Sequence, residues 1–193
     1  EARIVLYCMY FSKRDGFIER GVSLSALKPF FQSALVAFSV DVDESLQQTH
    51  FDDTLRELKS SFVLFDAGKA EFINPSVQDF LSRQLDDENL LSKLAASVPT
   101  FSHALALWKA TTSQFEKDSG QAQSVAKALL LAMQSGNVNG RIAFDELGVA
   151  LGDMLLVTPS PEFHRYLRSG ALWNNVVIDE VELPSIIDDL IFG

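Results

Sequence analysis

One stretch gathers several residues of reactive type at a meaningful spacing. Ser135-Gly-Asn137-Val-Asn139-Gly140-Arg-Ile142-Ala-Phe-Asp145-Glu146 sets oxygen donors at alternate positions, with a glycine sixth and a glutamate twelfth. This is the pattern of a helix-flanked loop that wraps Ca²⁺. Its first position holds Ser where a carboxylate is usual, and its other side-chain donors, Asn137 and Asn139, are neutral. Affinity rises with ligand charge, so the loop from Ser135 to Glu146 reads either as a weak calcium-responsive module or as an Asn/Gly-rich turn between helices. The run Asp41-x-Asp43-x-Ser45 lacks both the glycine and the closing glutamate. Gly68-Lys69 fails as a phosphate loop, because Val63 stands at the required glycine and Ala70 at the required hydroxyl. His50, His103 and His164 are far apart with no second ligand at zinc spacing. No serine sits in a nucleophile elbow. Carboxylates fall singly or in runs such as Asp52-Asp53 and Asp86-Asp87-Glu88, which reads as solvated surface and assigns no acid and base. These observations give no catalytic residue, no metal site and no enzyme in this stretch of chain.

The elements that must carry these residues are mostly helices. Residues 2–11 are almost wholly apolar and suit a buried helix, and Cys8 within them reads as a small buried hydrophobe in preference to a reactive thiol. After a polar break at Ser12–Gly16, Ser23 is a candidate N-cap for a helix with Leu24, Leu27, Phe31, Leu35 and Phe38 at helical spacing. An acidic loop at Asp41–Gln48 leads to a helix over 51–58. Phe62–Asp66 and Ala70–Ile73 flank Ala67-Gly68-Lys69 as a short hairpin. Asn74-Pro75 then opens a helix, since Asn caps well and Pro lacks only an N–H that would be unbonded there. Val77, Phe80, Leu81 and Leu85 form its apolar stripe. Helix, helix, helix, two-stranded wing, helix is the order of a winged-helix domain. Further helices are expected near 90–97, 101–117, 121–134, 144–156 and 160–171, punctuated by Pro99, Gly120, Gly136 to Gly140 and Pro159 to Pro161. The expected fold is therefore mainly α: a winged-helix domain with a hairpin wing over 1–88, then an α-helical arm or bundle over 89–193.

Composition narrows the partners. The chain has 193 residues, 47% hydrophobic and 22% charged, an ordinary globular balance. Its net charge is −10. Residues 1–90 hold 9 basic and 15 acidic groups, which leaves 7 and 11 for the remainder. Neither half offers the basic face needed by a nucleic-acid binder or a protein held to an anionic membrane. The expected recognition helix of a DNA-reading winged helix, Thr49–Lys59, carries Asp52, Asp53 and Glu57 against Arg56 and Lys59, so it would repel phosphates. A DNA-binding regulator survives as the alternative on element order alone. No apolar stretch approaches a membrane span, and a lone cysteine suits a reducing cytoplasm. The opening Glu1-Ala-Arg-Ile-Val-Leu and the apolar close at Asp188–Gly193 read as an excised fragment.

Leu58-Lys-Ser-Ser-Phe62 followed by Glu71-Phe72-Ile73-Asn74-Pro75-Ser76-Val77-Gln78-Asp79-Phe80-Leu81 resembles the winged-helix region of STAND-type NTPases. It is most similar to the novel STAND group of bacteria, where a Ser-Phe strand precedes Phe-x-Asn-Pro-Ser-Val-x-Asp-Phe-Leu. Phe101-Ser-His-Ala-Leu-Ala-Leu-Trp108 likewise resembles the first arm helix after that domain. The resemblance implies a non-catalytic regulatory and interaction module within a cytoplasmic signalling ATPase, of a kind linked in bacteria to phage defence. ATP or ADP and Mg²⁺ would belong to the parent protein, and the fragment would hold no cofactor itself. Its partners would be the upstream ATPase domain and a downstream sensor of the same polypeptide. In related proteins a histidine of a Met-His-Asp motif at the strand-to-helix junction approaches the nucleotide phosphate. By position it resembles Asn74, which the resemblance thus marks as cofactor-binding, whereas capping alone also explains the residue.

Overall fold

In a computed structural model of the chain, the described residues are 1–12, 21–40, 47–85, 87–142 and 144–178. The run Asp41–Ser45, most of the break expected at Ser12–Gly16 and the final residues 179–193 lie outside them. The chain is mainly helical, with a small three-stranded antiparallel sheet. Among the described residues no helix is long and apolar enough to cross a membrane. Two compact units divide it, Glu1–Ser97 and Val98–Gly193.

The first unit runs α1 (Ala2–Ser12), β1 (Val22–Ser23), α2 (Leu24–Ala37), α3 (Gln47–Leu58), β2 (Val63–Asp66), β3 (Lys69–Phe72), α4 (Pro75–Arg83) and α5 (Glu88–Ala96). Helix α1 is the hub, packing on α2, α3 and α4. Seven of its residues are buried, Cys8 and Tyr7 completely. Phe30, Phe31 and Leu27 of α2 are fully buried, and the Phe31 and Phe51 rings meet at 5.5 Å. The sheet order is β1-β3-β2, with Val22 opposite Ala70 and Val63 opposite Phe72. The hairpin turns through Ala67 (φ 46°) and Gly68 (φ 78°). Positive φ at both central residues is the turn whose twist matches two right-twisted strands. Gly21 enters β1 at φ +83°, and a Cβ there would lie 3.0 Å from the Ala70 carbonyl oxygen, so this approach to β3 excludes a side chain.

The sequence puts a boundary after Glu88, whereas α5 falls in the first unit. Its Leu91 and Leu94 are fully buried, it packs on α2, and the Lys93 ammonium lies 5.1 Å from the centre of the Phe38 ring. Asp87 caps α5 by accepting from the N–H groups of Asn89 (3.0 Å) and Leu90 (3.2 Å).

The second unit runs α6 (Phe101–Gln114), α7 (Gly120–Gln134), β4 (Gly140–Ile142), α8 (Phe144–Val157), α9 (Pro161–Arg168), a 3-10 turn (Leu172–Asn175) and β5 (Val176–Ile178). Thr100, Ser119 and Ser160 cap α6, α7 and α9, their hydroxyl oxygens accepting from the N–H groups of His103, Ala122 and Phe163. Helix α7 packs against α6, α8 and α9. Phe101, Leu107, Leu129, Leu147, Met154 and Phe163 fill the core. β4 and β5 pair in parallel, Gly140 with Val176 and Ile142 with Ile178, a pairing the sequence reading does not anticipate.

Candidate functional site

Asn74, two residues after β3, holds extended backbone (φ −137°, ψ 133°) and caps α4: its Oδ1 accepts from the Ser76 N–H at 2.9 Å. The Val77 N–H donates to the Asn74 carbonyl at 3.0 Å. The cap and a tight first turn thus engage the N–H groups of both Ser76 and Val77. A phosphate there would have to displace the cap. Asn74, Pro75 and Ser76 are exposed, so the helix end is open to a partner surface.

The junction itself is anchored on one side only. Phe72 is buried, and of the apolar stripe expected on α4 Leu81 and Leu85 are buried as well, but Val77 is half-buried and Phe80 is 61% exposed. The stripe of apolar residues on α4 is wider than the strip that α1 and β3 cover. Phe80 is joined in its exposure by Phe62, Leu64 and Ile73 of the hairpin region. Phe62 and Ile73 are cross-strand neighbours, tied by the Ile73 N–H to the Phe62 carbonyl at 3.0 Å, and Leu64 lies two residues along the same strand face. Helix α3 exposes Asp52, Asp53, Arg56 and Glu57, the exposed Lys59 follows its last residue, and Arg56 is bonded to Asp53 at 2.9 Å.

In the loop Ser135 to Glu146 the first side-chain donor and the backbone of Asn139 are bonded within the fold. The Ser135 hydroxyl donates to the Ala132 carbonyl at 2.7 Å and accepts from the Asn137 N–H at 3.4 Å. The Asn139 N–H donates to the Pro99 carbonyl and the Asn139 carbonyl accepts from Phe101 N–H. Gly140–Ile142 is strand β4. Ala143 lies outside the described residues. Among the described residues no group of three or more His, Cys, Asp or Glu side chains could hold a metal ion.

The three histidines stay apart and serve local structure. His50 Nδ1 is 3.2 Å from a Glu1 carboxylate oxygen, and His164 Nδ1 is 2.9 Å from the Ser160 carbonyl of its own turn. His103 Nδ1 lies 2.6 Å from the Thr100 hydroxyl, and burial pushes this imidazole down to about 4. Burial pushes the Cys8 thiol far up, so no thiolate forms there near neutrality.

A groove opens in the second unit that no sequence signal marks. It has a volume of about 340 Å³. Leu105, Trp108, Lys109 and Thr112 form one stripe of α6 along it, and Asp145, Glu146, Val149, Ala150 and Asp153 form one stripe of α8. Lys117, beyond the end of α6, closes one end through a 2.7 Å ion pair with Asp153. These residues lie up to 48 positions apart (153 − 105) and could be collected only by the packing of α6 on α8.

No protein-family model, no curated protein and no solved structure matches the chain.

Proposed function

We propose that the chain is the winged-helix and helical-arm portion of a STAND-type signalling ATPase, a regulatory and interaction module with no catalysis of its own. The observation that carries the reading is the order α1-β1-α2-α3-β2-β3-α4 with the sheet arranged β1-β3-β2, which supports a winged helix, together with the Phe-Ile-Asn-Pro-Ser-Val junction at the start of α4. The exposed apolar residues Phe62, Leu64, Ile73 and Phe80 support a role in protein contact, because a lone domain gains nothing by leaving four large hydrophobics in water. In this reading they pack against the upstream ATPase domain. Asn74, at the open end of α4, faces the nucleotide of that domain, where ATP or ADP and Mg²⁺ are held. The helical second unit relays the state of a downstream sensor.

The coding sequence upstream of Glu1 should specify an ATPase domain with a P-loop and an Asp-bearing strand, and an unrelated sequence there would refute the proposal. The purified chain should release no phosphate from ATP, and turnover that survives repurification would count equally against it.

Winged-helix order also serves DNA-binding regulators. The exposed acids of α3 oppose that use here. A gel-shift titration with duplex DNA at low salt should show no complex. A salt-sensitive shift lost in Arg56→Glu or Lys69→Glu would favour the DNA reading.

A further inference from the structure

The geometry points to a binding site for an organic cation, a primary ammonium on an apolar stem, in the α6–α8 groove of the second unit. The inference stands apart from the proposed function, since it uses neither the winged helix nor Asn74. Its floor is apolar: Leu105, Trp108 and Ala150 are buried, while Val149 forms a wall that is itself 63% exposed. A volume of about 340 Å³ is at the lower end of small-molecule pockets, roughly 300–1,000 Å³.

The charges around that floor are not balanced. Lys117 and Asp153 neutralise each other at 2.7 Å. The remaining charged residues along the groove are Lys109 of α6 and Asp145 and Glu146 in the first turn of α8. Among the described side chains neither carboxylate has a cationic partner, and Asp145 Oδ1 accepts only from the Glu146 N–H, at 2.9 Å. Both lie in the first turn of α8, where a helix favours anionic side chains. Two carboxylates at one end of an apolar trough select a ligand with a positive head and an apolar body. A bare metal ion would leave the Trp108–Val149 surface unused, and an anion would meet two like charges against one opposite.

The test uses the full chain carrying Trp173→Phe, which leaves Trp108 as the sole tryptophan of the two in the sequence. Its thermal melt is recorded first. Trp108 emission is then titrated with 2-phenylethylammonium, with neutral 2-phenylethanol and with 3-phenylpropionate. Saturable binding of the ammonium is expected, weakened by high salt and stronger than that of either analogue. Glu146→Gln and Asp145→Asn, both at exposed positions, should each weaken it by about two- to fivefold. Lys109→Ala should leave it unchanged or tighten it, and Val149→Phe should block it by filling the trough. Equal affinity for the alcohol and the ammonium would overturn the proposal, leaving a merely apolar cleft. So would a preference for the propionate, which would assign the site to Lys109, or the absence of saturation. Isothermal titration of the unsubstituted chain with the same three compounds gives the same ranking if Trp173→Phe does not fold.

Discussion

Replacing Asn74 by Ala removes one defined interaction, the 2.9 Å bond from the Ser76 N–H to Asn74 Oδ1, and leaves the core untouched because the residue is exposed. Losing a side-chain N-cap costs about 1 kcal/mol. That corresponds to a fall in Tm of about 2–4 °C for a cooperative chain of this length, or about 4–8 °C if the first unit melts by itself. Helix α4 has nine residues and is held mainly through Leu81, so part of the loss should appear as local fraying. Amide exchange at Val77–Phe80 should quicken before the global melt shifts. Asn74→Asp is the control: Asp caps as well as Asn, and its charge is favourable at a helix N-terminus. Circular dichroism melts of wild type, Asn74→Ala and Asn74→Asp should therefore place Asp with wild type and Ala alone below. An Ala variant that melts with wild type, or an Asp variant that falls with Ala, would refute the assignment of the cap.

Core and surface aromatic residues should separate cleanly: Phe31→Ala should cost about 3–5 kcal/mol in a urea melt, and Phe80→Ala should change stability by no more than about 0.5 kcal/mol. Cys8 should resist an aromatic disulfide reagent in the native chain and react fully once the chain is unfolded in guanidinium, since the thiol is buried and its ionisation opposed. His103 should make the second unit sensitive to acid. Its pKa is near 6.5 when unfolded and pushed down to about 4 when folded, so stability is whole above 6.5 and falls as pH drops from there towards 4, by about 3 kcal/mol at most. His103→Gln should flatten that part of the stability–pH curve, and an unchanged curve would place the acid sensitivity elsewhere.

Sequence spacing located most helices to within a few residues because their signals are local. Asn74-Pro75, Ser119-Gly120 and Ser160-Pro161 are caps that work within one turn. The hairpin was legible for the same reason, since Ala67-Gly68 lies between two β-rich runs. What depends on distant partners was not legible. β1 is two residues long and exists only through its register with Lys69 and Ala70. β4 and β5 are three residues each, and a turn-rich sequence around Gly140 conceals a strand whose partner lies beyond two further helices. Ser23 does precede α2, but its hydroxyl meets Ser25 at 2.7 Å and makes no cap bond to the backbone. Periodicity put Phe80 on the apolar stripe of α4 and could not reveal that Leu81 is buried there while Phe80 stays in water. The groove was invisible because a stripe on α6 means nothing until α8 is set beside it.

The parallel pair β4–β5 has a consequence for cleavage of the chain. All of α8 and α9 lies between its two strands, so the segment closes on itself like a belt whose buckle is Gly140–Ile142 against Val176–Ile178. The exposed Pro159 joins α8 to α9. A protease that cuts at that link severs the covalent path, yet the buckle and the packing of both helices on α7 still hold the ends. The nicked chain should therefore elute as one species from a sizing column and separate into two peptides only in denaturant. Two peptides eluting apart under native conditions would mean that the strap is not fastened.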